Sequence, residues 1–109
     1  MYYIYMLRCA DNSLYTGITT NIQRRLKEHF EKSEKCAKYT YTHTAIKLEH
    51  LWQTDTRSAA SQLEYRIKTL KKEQKEKLIS GETSLQDIFG DALNTLEFVD
   101  IFIDFVENF

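Results

Sequence analysis

YIYMLRCADNSLYTGITTNIQRRLKEH, residues 3–29, compresses a hairpin and a helix into one short stretch. The aromatic run Tyr2-Tyr3-Ile4-Tyr5-Met6-Leu7 suits a pleated, half-buried strand. Asp11-Asn12-Ser13 follow, with short polar side chains that favour a turn. Leu14-Tyr15-Thr16-Gly17-Ile18 then answers the first strand across that turn. Thr19, Thr20 and Asn21 offer capping oxygens to a helix in which Ile22, Leu26 and Phe30 recur every fourth position.

Period-two alternation puts Tyr3 and Tyr5 on one face of the first strand, and Tyr15 and Gly17 on one face of the second. Arg25 and His29, four apart, share a flank of the helix. Phenol, guanidinium and imidazole are thereby free to converge on one patch. The combination suits a phosphodiester, with arginine for the phosphate oxygens and tyrosine or histidine for the protons.

Tyr3-Ile4-Tyr5, Tyr15-Thr16-Gly17, Arg25 and His29 together resemble the GIY-YIG nuclease domain, and above all its small stand-alone bacterial members. The resemblance covers residues 2–79, with YIY in place of GIY and YTG in place of YIG. It implies that Tyr5, Tyr15, Arg25 and His29 are catalytic and that Gly17 lies on the substrate side. Two positions depart from the pattern: Tyr3 stands where the first glycine falls, and Ile18 stands where some members carry a lysine.

The chain of 109 residues has the length of one domain, and 42% hydrophobic residues are enough for a core. It shows no signal-peptide pattern and no apolar run of about 18 residues, so neither export nor a membrane is expected. Cys9 and Cys36 lack paired metal spacing and suit thiols in a reducing cytoplasm. The net charge of −1 hides an asymmetry. Residues 1–80 hold 15 basic and 9 acidic side chains, a net of +6, whereas residues 81–109 hold 7 acidic and no basic ones. The body attracts phosphate; the tail repels it or sits on the body.

After the first helix the chain is charged and polar through residue 38, with Ser33 a break. Lys38-Tyr39-Thr40-Tyr41-Thr42-His43-Thr44 is β-prone yet polar on both faces. It reads either as a connecting strand or, as the resemblance implies, as a substrate-side loop in which Lys38 and Tyr39 meet nucleic acid. Ile46, Leu48, His50 and Trp52 alternate onto one side of a third strand. Residues 54–56 cap a second helix with the apolar seam Ala60, Leu63, Ile67 and Leu70. Glu64 lies at the border of that seam. Alone it reads as a surface partner of Lys68; the resemblance makes it the ligand of a single magnesium or manganese ion. His43 and His50 have no partners at ligand spacing. A lysine-rich helix follows over residues 73–79, and Gly81 stops it.

The last segment places Phe89, Ala92, Leu96, Val99, Ile103 and Val106 on one apolar stripe, with Glu97, Asp100, Asp104 and Glu107 on an acidic one. That spacing predicts an amphipathic helix over 92–108, a strand over 98–105 being the second reading. Three roles compete for it: docking on the body, joining a homodimer, or covering the basic face as a gate.

The expected architecture is α+β: a small three-stranded antiparallel sheet flanked by helices, with a catalytic domain at 1–80 and a C-terminal helical extension at 81–109. The expected activity is magnesium-dependent endonucleolytic hydrolysis, on DNA rather than RNA, structure- or single-strand-directed, in repair or processing. The alternative is a nucleic-acid-binding module or interaction subunit that keeps the fold without the chemistry.

Overall fold

The computed structural model describes residues 1–101. Strands β1 (Tyr2–Cys9) and β2 (Leu14–Thr19) form the expected antiparallel hairpin. Its turn is closed by Asp11, whose Oδ1 accepts from the backbone N and the Oγ of Ser13 at 3.1 and 2.6 Å. Asn12 takes the left-handed conformation (φ 70°) that its short amide tolerates. Helix α1 (Ile22–Phe30) is capped by Asn21, whose side chain accepts from the Arg24 N–H. Strand β3 (Ala45–Thr54) then returns antiparallel to β1 on its other side. Helices α3 (Arg57–Lys68) and α4 (Lys72–Ser80) follow, and Gly81 ends α4 in the left-handed conformation.

The sheet has four strands, in the order β2-β1-β3-β4, rather than three. The added strand, β4 (Val99–Asp100), pairs Asp100 with Trp52 and Val99 with Gln53. The helix expected over 92–108 does not form across the described part of that range. Instead a short helix α5 (Leu85–Phe89) ends at Gly90, whose φ is 52°, and two 3-10 turns follow. The chain then reaches the open edge of β3, where its backbone groups gain partners and its β-forming side chains fit. The predicted stripe therefore breaks: Leu96 is 92% exposed, while Leu93, outside the stripe, is buried. The rest of that prediction, with Ile103, Asp104, Val106 and Glu107, lies outside the described residues.

The segment at residues 38–44 is also not a strand. Lys38–Thr42 winds into a short helix, α2, whose end is closed by the His43 N–H donating to the Tyr39 carbonyl. Strand β3 does not alternate simply either. Register shifts against β1 leave Ile46 and Glu49 unpaired, so Leu48 and Leu51 reach one core while Trp52 reaches the other. Ile46 is turned outward, 59% exposed.

Two cores result, one on each face of the sheet. Tyr5, Leu7, Leu48 and Leu51 pack with Ile22 and Leu26 of α1. Ile4, Met6 and Trp52 pack with Ala60, Leu63 and Ile67 of α3, joined by Leu78 of α4 and by Leu85 and Leu93. The C-terminal segment is thus docked on the body at least through residue 93. Among the described residues no helix is long and apolar enough to cross a membrane.

Candidate active site

The site forms where α1, α2 and the β2 edge of the sheet meet. Tyr5 of β1 stands opposite Gly17 of β2. A Cβ at Gly17 would lie 2.5 Å from the Tyr5 Oη and 2.7 Å from its Cζ, so the phenol ring crosses the strand where a side chain would be. Gly17, assigned to the substrate from the resemblance, has a packing reason to be glycine.

The Tyr5 hydroxyl lies 2.8 Å from His29 Nε2, and Arg25 Nε reaches it at 3.4 Å. Tyr5 and His29 are both buried, at 1% and 0% exposure. Burial pushes the Tyr5 phenol far above its usual range, outweighing the Arg25 hydrogen bond that lowers it. Burial, aided by the Arg25 charge, lowers His29 to about 4, so its imidazole is neutral at pH 7.

Arg25 donates from Nη1 to Glu28 Oε1 at 2.9 Å and to the Lys35 carbonyl. Its Nη2 has no hydrogen-bond partner among the described residues. Tyr15, half-buried, packs its ring 5.4 Å from His29 and 6.3 Å from Tyr5. Tyr39 stacks on it at 5.7 Å, and His43 lies parallel to Tyr39 at 4.0 Å. Lys38, exposed, opens α2 on that flank. Glu64, half-buried on α3, pairs with Lys68 at 3.4 Å, and the Lys68 ammonium sits 5.6 Å from the centre of the Tyr15 ring. Through that chain Glu64 belongs to the Tyr15 side, and its charge is among those opposing ionisation of Tyr5.

Sequence reasoning missed Thr40, Lys68 and His43. Thr40 is wholly buried, its Oγ1 2.6 Å from His29 Nδ1. A strand reading of residues 38–44 hides it. A helical reading would have put Tyr39 and His43 together at i and i+4 and turned Thr40 inward. His43, which sequence spacing left without a partner, stacks on Tyr39 and lies 3.8 Å from Asp11. His50 also has partners, Asp100 at 2.8 Å and the Trp52 ring at 4.1 Å, but on β3 and away from this cluster.

Among the described residues no group of three or more metal-ligating side chains exists. Glu64, the expected ligand, would offer a cation a single carboxylate, one that Lys68 pairs with at 3.4 Å. One hard oxygen donor suits an ion that keeps most of its water and takes the rest of its ligands from substrate phosphate.

Tyr5, Tyr15, His29 and Arg25 thus gather toward the β2 edge of this α+β sheet, with Glu64 reached through Lys68. The model of the GIY-YIG catalytic domain matches residues 1–77. A UPF0213 protein of Natronomonas pharaonis is 46% identical over 82 residues, covering 75% of this chain and 94% of the relative. One from Fusobacterium nucleatum is 46% identical over 88 residues, 80% of this chain and 86% of the relative. The solution NMR structure of the UPF0213 protein BH0048 from Bacillus halodurans is 34% identical, covers 84% of this chain and 96% of that one, and superposes with a TM-score of 0.49. This chain belongs to the GIY-YIG family. Members of the family are generally nucleases that use a divalent metal, and the relatives' own names state no activity.

Proposed function

We propose that this protein is a magnesium-dependent endonuclease that hydrolyses phosphodiester bonds in DNA, directed by structure or by single strands, in repair or processing. The observation that supports this best is the meeting of Tyr5, His29, Arg25 and Tyr15 on the flank where Lys68 holds Glu64. A reducing cytoplasm suits the two free thiols, Cys9 and Cys36.

Glu64 would hold the ion, which when bound polarises the phosphoryl oxygen and neutralises developing charge. Arg25 presents its Nη2, without a partner among the described residues, to a non-bridging oxygen while Glu28 and the Lys35 carbonyl fix the rest of the guanidinium. Tyr15, the less buried phenol, acts through its phenolate oxygen, taking the proton of the attacking water as the water oxygen bonds to phosphorus and the bond to the leaving sugar oxygen breaks, that oxygen taking a proton from solvent. Tyr5 remains a neutral phenol and orients the inner layer through His29. Lys38 and Tyr39 border the path of the substrate strand.

The test is cleavage of labelled single-stranded, duplex, flap and branched DNA, and of the matching RNA, with and without magnesium. Glu64→Gln and Arg25→Ala should each lower the metal-dependent rate by at least about 100-fold, with circular dichroism unchanged. A wild-type protein that binds these substrates yet cuts none of them would establish the non-catalytic module instead. Full activity in Glu64→Gln would remove the metal from that residue.

A further inference from the structure

The hydrogens of the buried cluster can be placed by elimination. His29 Nε2 is 2.8 Å from the Tyr5 hydroxyl and Nδ1 is 2.6 Å from Thr40 Oγ1. Thr40 Oγ1 is also 3.1 Å from the Ala37 carbonyl, and Arg25 Nε donates to the Tyr5 oxygen. A neutral imidazole has one donor and one acceptor nitrogen. If Nε2 carried the hydrogen, Thr40 would have to donate to Nδ1. Tyr5 would then accept from both His29 and Arg25, leaving its own O–H with no acceptor among the described residues. If Nδ1 carries it, each hydrogen has a place. Nδ1–H goes to Thr40, Thr40 to the Ala37 carbonyl, Tyr5 to Nε2, and Arg25 to Tyr5. An orphaned buried donor costs more than an ordinary hydrogen bond contributes, so the second arrangement prevails.

We propose that Thr40, backed by the Ala37 carbonyl, is a positioning residue that locks His29 in the Nδ1–H tautomer and so aims the Nε2 lone pair at the Tyr5 hydroxyl. Its consequence for catalysis rests on the nuclease reading; the tautomer itself does not. Thr40 also follows Tyr39, the residue stacked on Tyr15, so one helical turn ties the substrate flank to the proton network. Any shift of α2 that withdraws Thr40 takes the Nδ1 acceptor with it.

Long-range proton–nitrogen NMR correlation of the imidazole rings in the nitrogen-15-labelled protein at neutral pH reads the tautomer directly. The wild-type His29 should show a protonated Nδ1 and a bare Nε2. Thr40→Val, alike in shape but without the acceptor, should move His29 toward the Nε2–H form. Cleavage should fall by about 10- to 100-fold, the range for partners that orient a reacting imidazole. Thr40→Ser should restore both. A wild-type Nε2–H tautomer overturns the proposal, as does a folded Thr40→Val protein with an unchanged ring. Should Thr40→Val fail to fold, the wild-type and Thr40→Ser spectra decide: both must carry the hydrogen on Nδ1. A wild type that cuts nothing but shows the Nδ1–H ring sinks the nuclease reading and leaves the tautomer lock standing.

Discussion

Gly17 and His29 show how single side chains set the site. Any Cβ at Gly17 would overlap the Tyr5 phenol, and that phenol is held by His29 and closed in by core, so it has nowhere to retreat. Gly17→Ala is therefore expected to destabilise the protein by about 1–3 kcal/mol through overpacking and to displace the Tyr5 hydroxyl. Thermal unfolding measures the first effect, and loss of the Tyr5-bound His29 signal in NMR the second. For His29 the sign follows from its lowered folded-state pKa of about 4, against 6.5 in the open chain. Between those values the unfolded chain binds more protons, so this residue's contribution is complete above pH 6.5 and is lost as pH falls toward 4. Urea midpoints taken across that window should fall more steeply for wild type than for His29→Asn. Parallel curves would mean that the imidazole is not buried neutral.

Helix α4 illustrates a bond between elements rather than residues. It carries few buried side chains, Leu78 being the one enclosed by core. What else holds it is Arg8 of β1, which donates to both carboxylate oxygens of Glu76, at 2.6 Å for one of them, and to Glu49 of β3 at 2.8 Å. The Arg8 guanidinium, followed by Lys72, lowers Glu76 to about 2. This contribution is present above the usual carboxylate range and disappears as pH drops through 2. Arg8→Met should cost about 2 kcal/mol, because it leaves the half-buried Glu49 carboxylate with only the exposed Lys47 ammonium, at 3.3 Å, and removes the tie to Glu76. Amides of α4 should exchange at least about tenfold faster while those of β1 are little changed. Exchange accelerating equally in the sheet would show that the clamp stabilises the whole domain instead. The elements legible in the sequence were those with local periodicity. β1, β2 and α1 followed from strand alternation, turn chemistry and an N-cap, and α3 from its seam. Helix α2, which was missed, and β4, which fell within the second reading of a strand over 98–105, depend on distant partners. Residues 38–42 coil because Tyr39 and Thr40 find Tyr15 and His29, and β4 exists because β3 offers an open edge. Of the site, the residue types and spacing were legible; the Thr40 contact and the burial that keeps Tyr5 neutral were not, since both arise only on packing.

On the scale of the molecule, the described acidic residues Glu82 and Glu97 lie toward the β4 edge of the sheet and the cluster toward its β2 edge. Thr83, Ser84, Thr95 and Phe98 close a cavity with His50 and Trp52 of β3, and β4 forms the sheet edge away from β2. Glu82 and Glu97 adjoin those residues and are exposed. Two strand steps of about 4.8 Å separate β3 from β2, so these charges stand about 10 Å or more from the Tyr15 edge. That exceeds the screening length of about 8 Å at 0.15 M salt. Through these residues the acidic segment is poorly placed to gate the site and well placed to act as a weak, screened field. Replacing Glu82 and Glu97 with Gln should alter DNA affinity by less than about twofold at 0.15 M salt, with a larger gain only at low salt. Lys38→Ala, on the cluster's own flank, should instead weaken binding at all salt concentrations and reduce the slope of log K against log salt by about one. Fluorescence anisotropy titrations across a salt series separate the two. A tenfold or greater gain for the Gln variant at 0.15 M would place the acidic segment over the binding face and restore the gate.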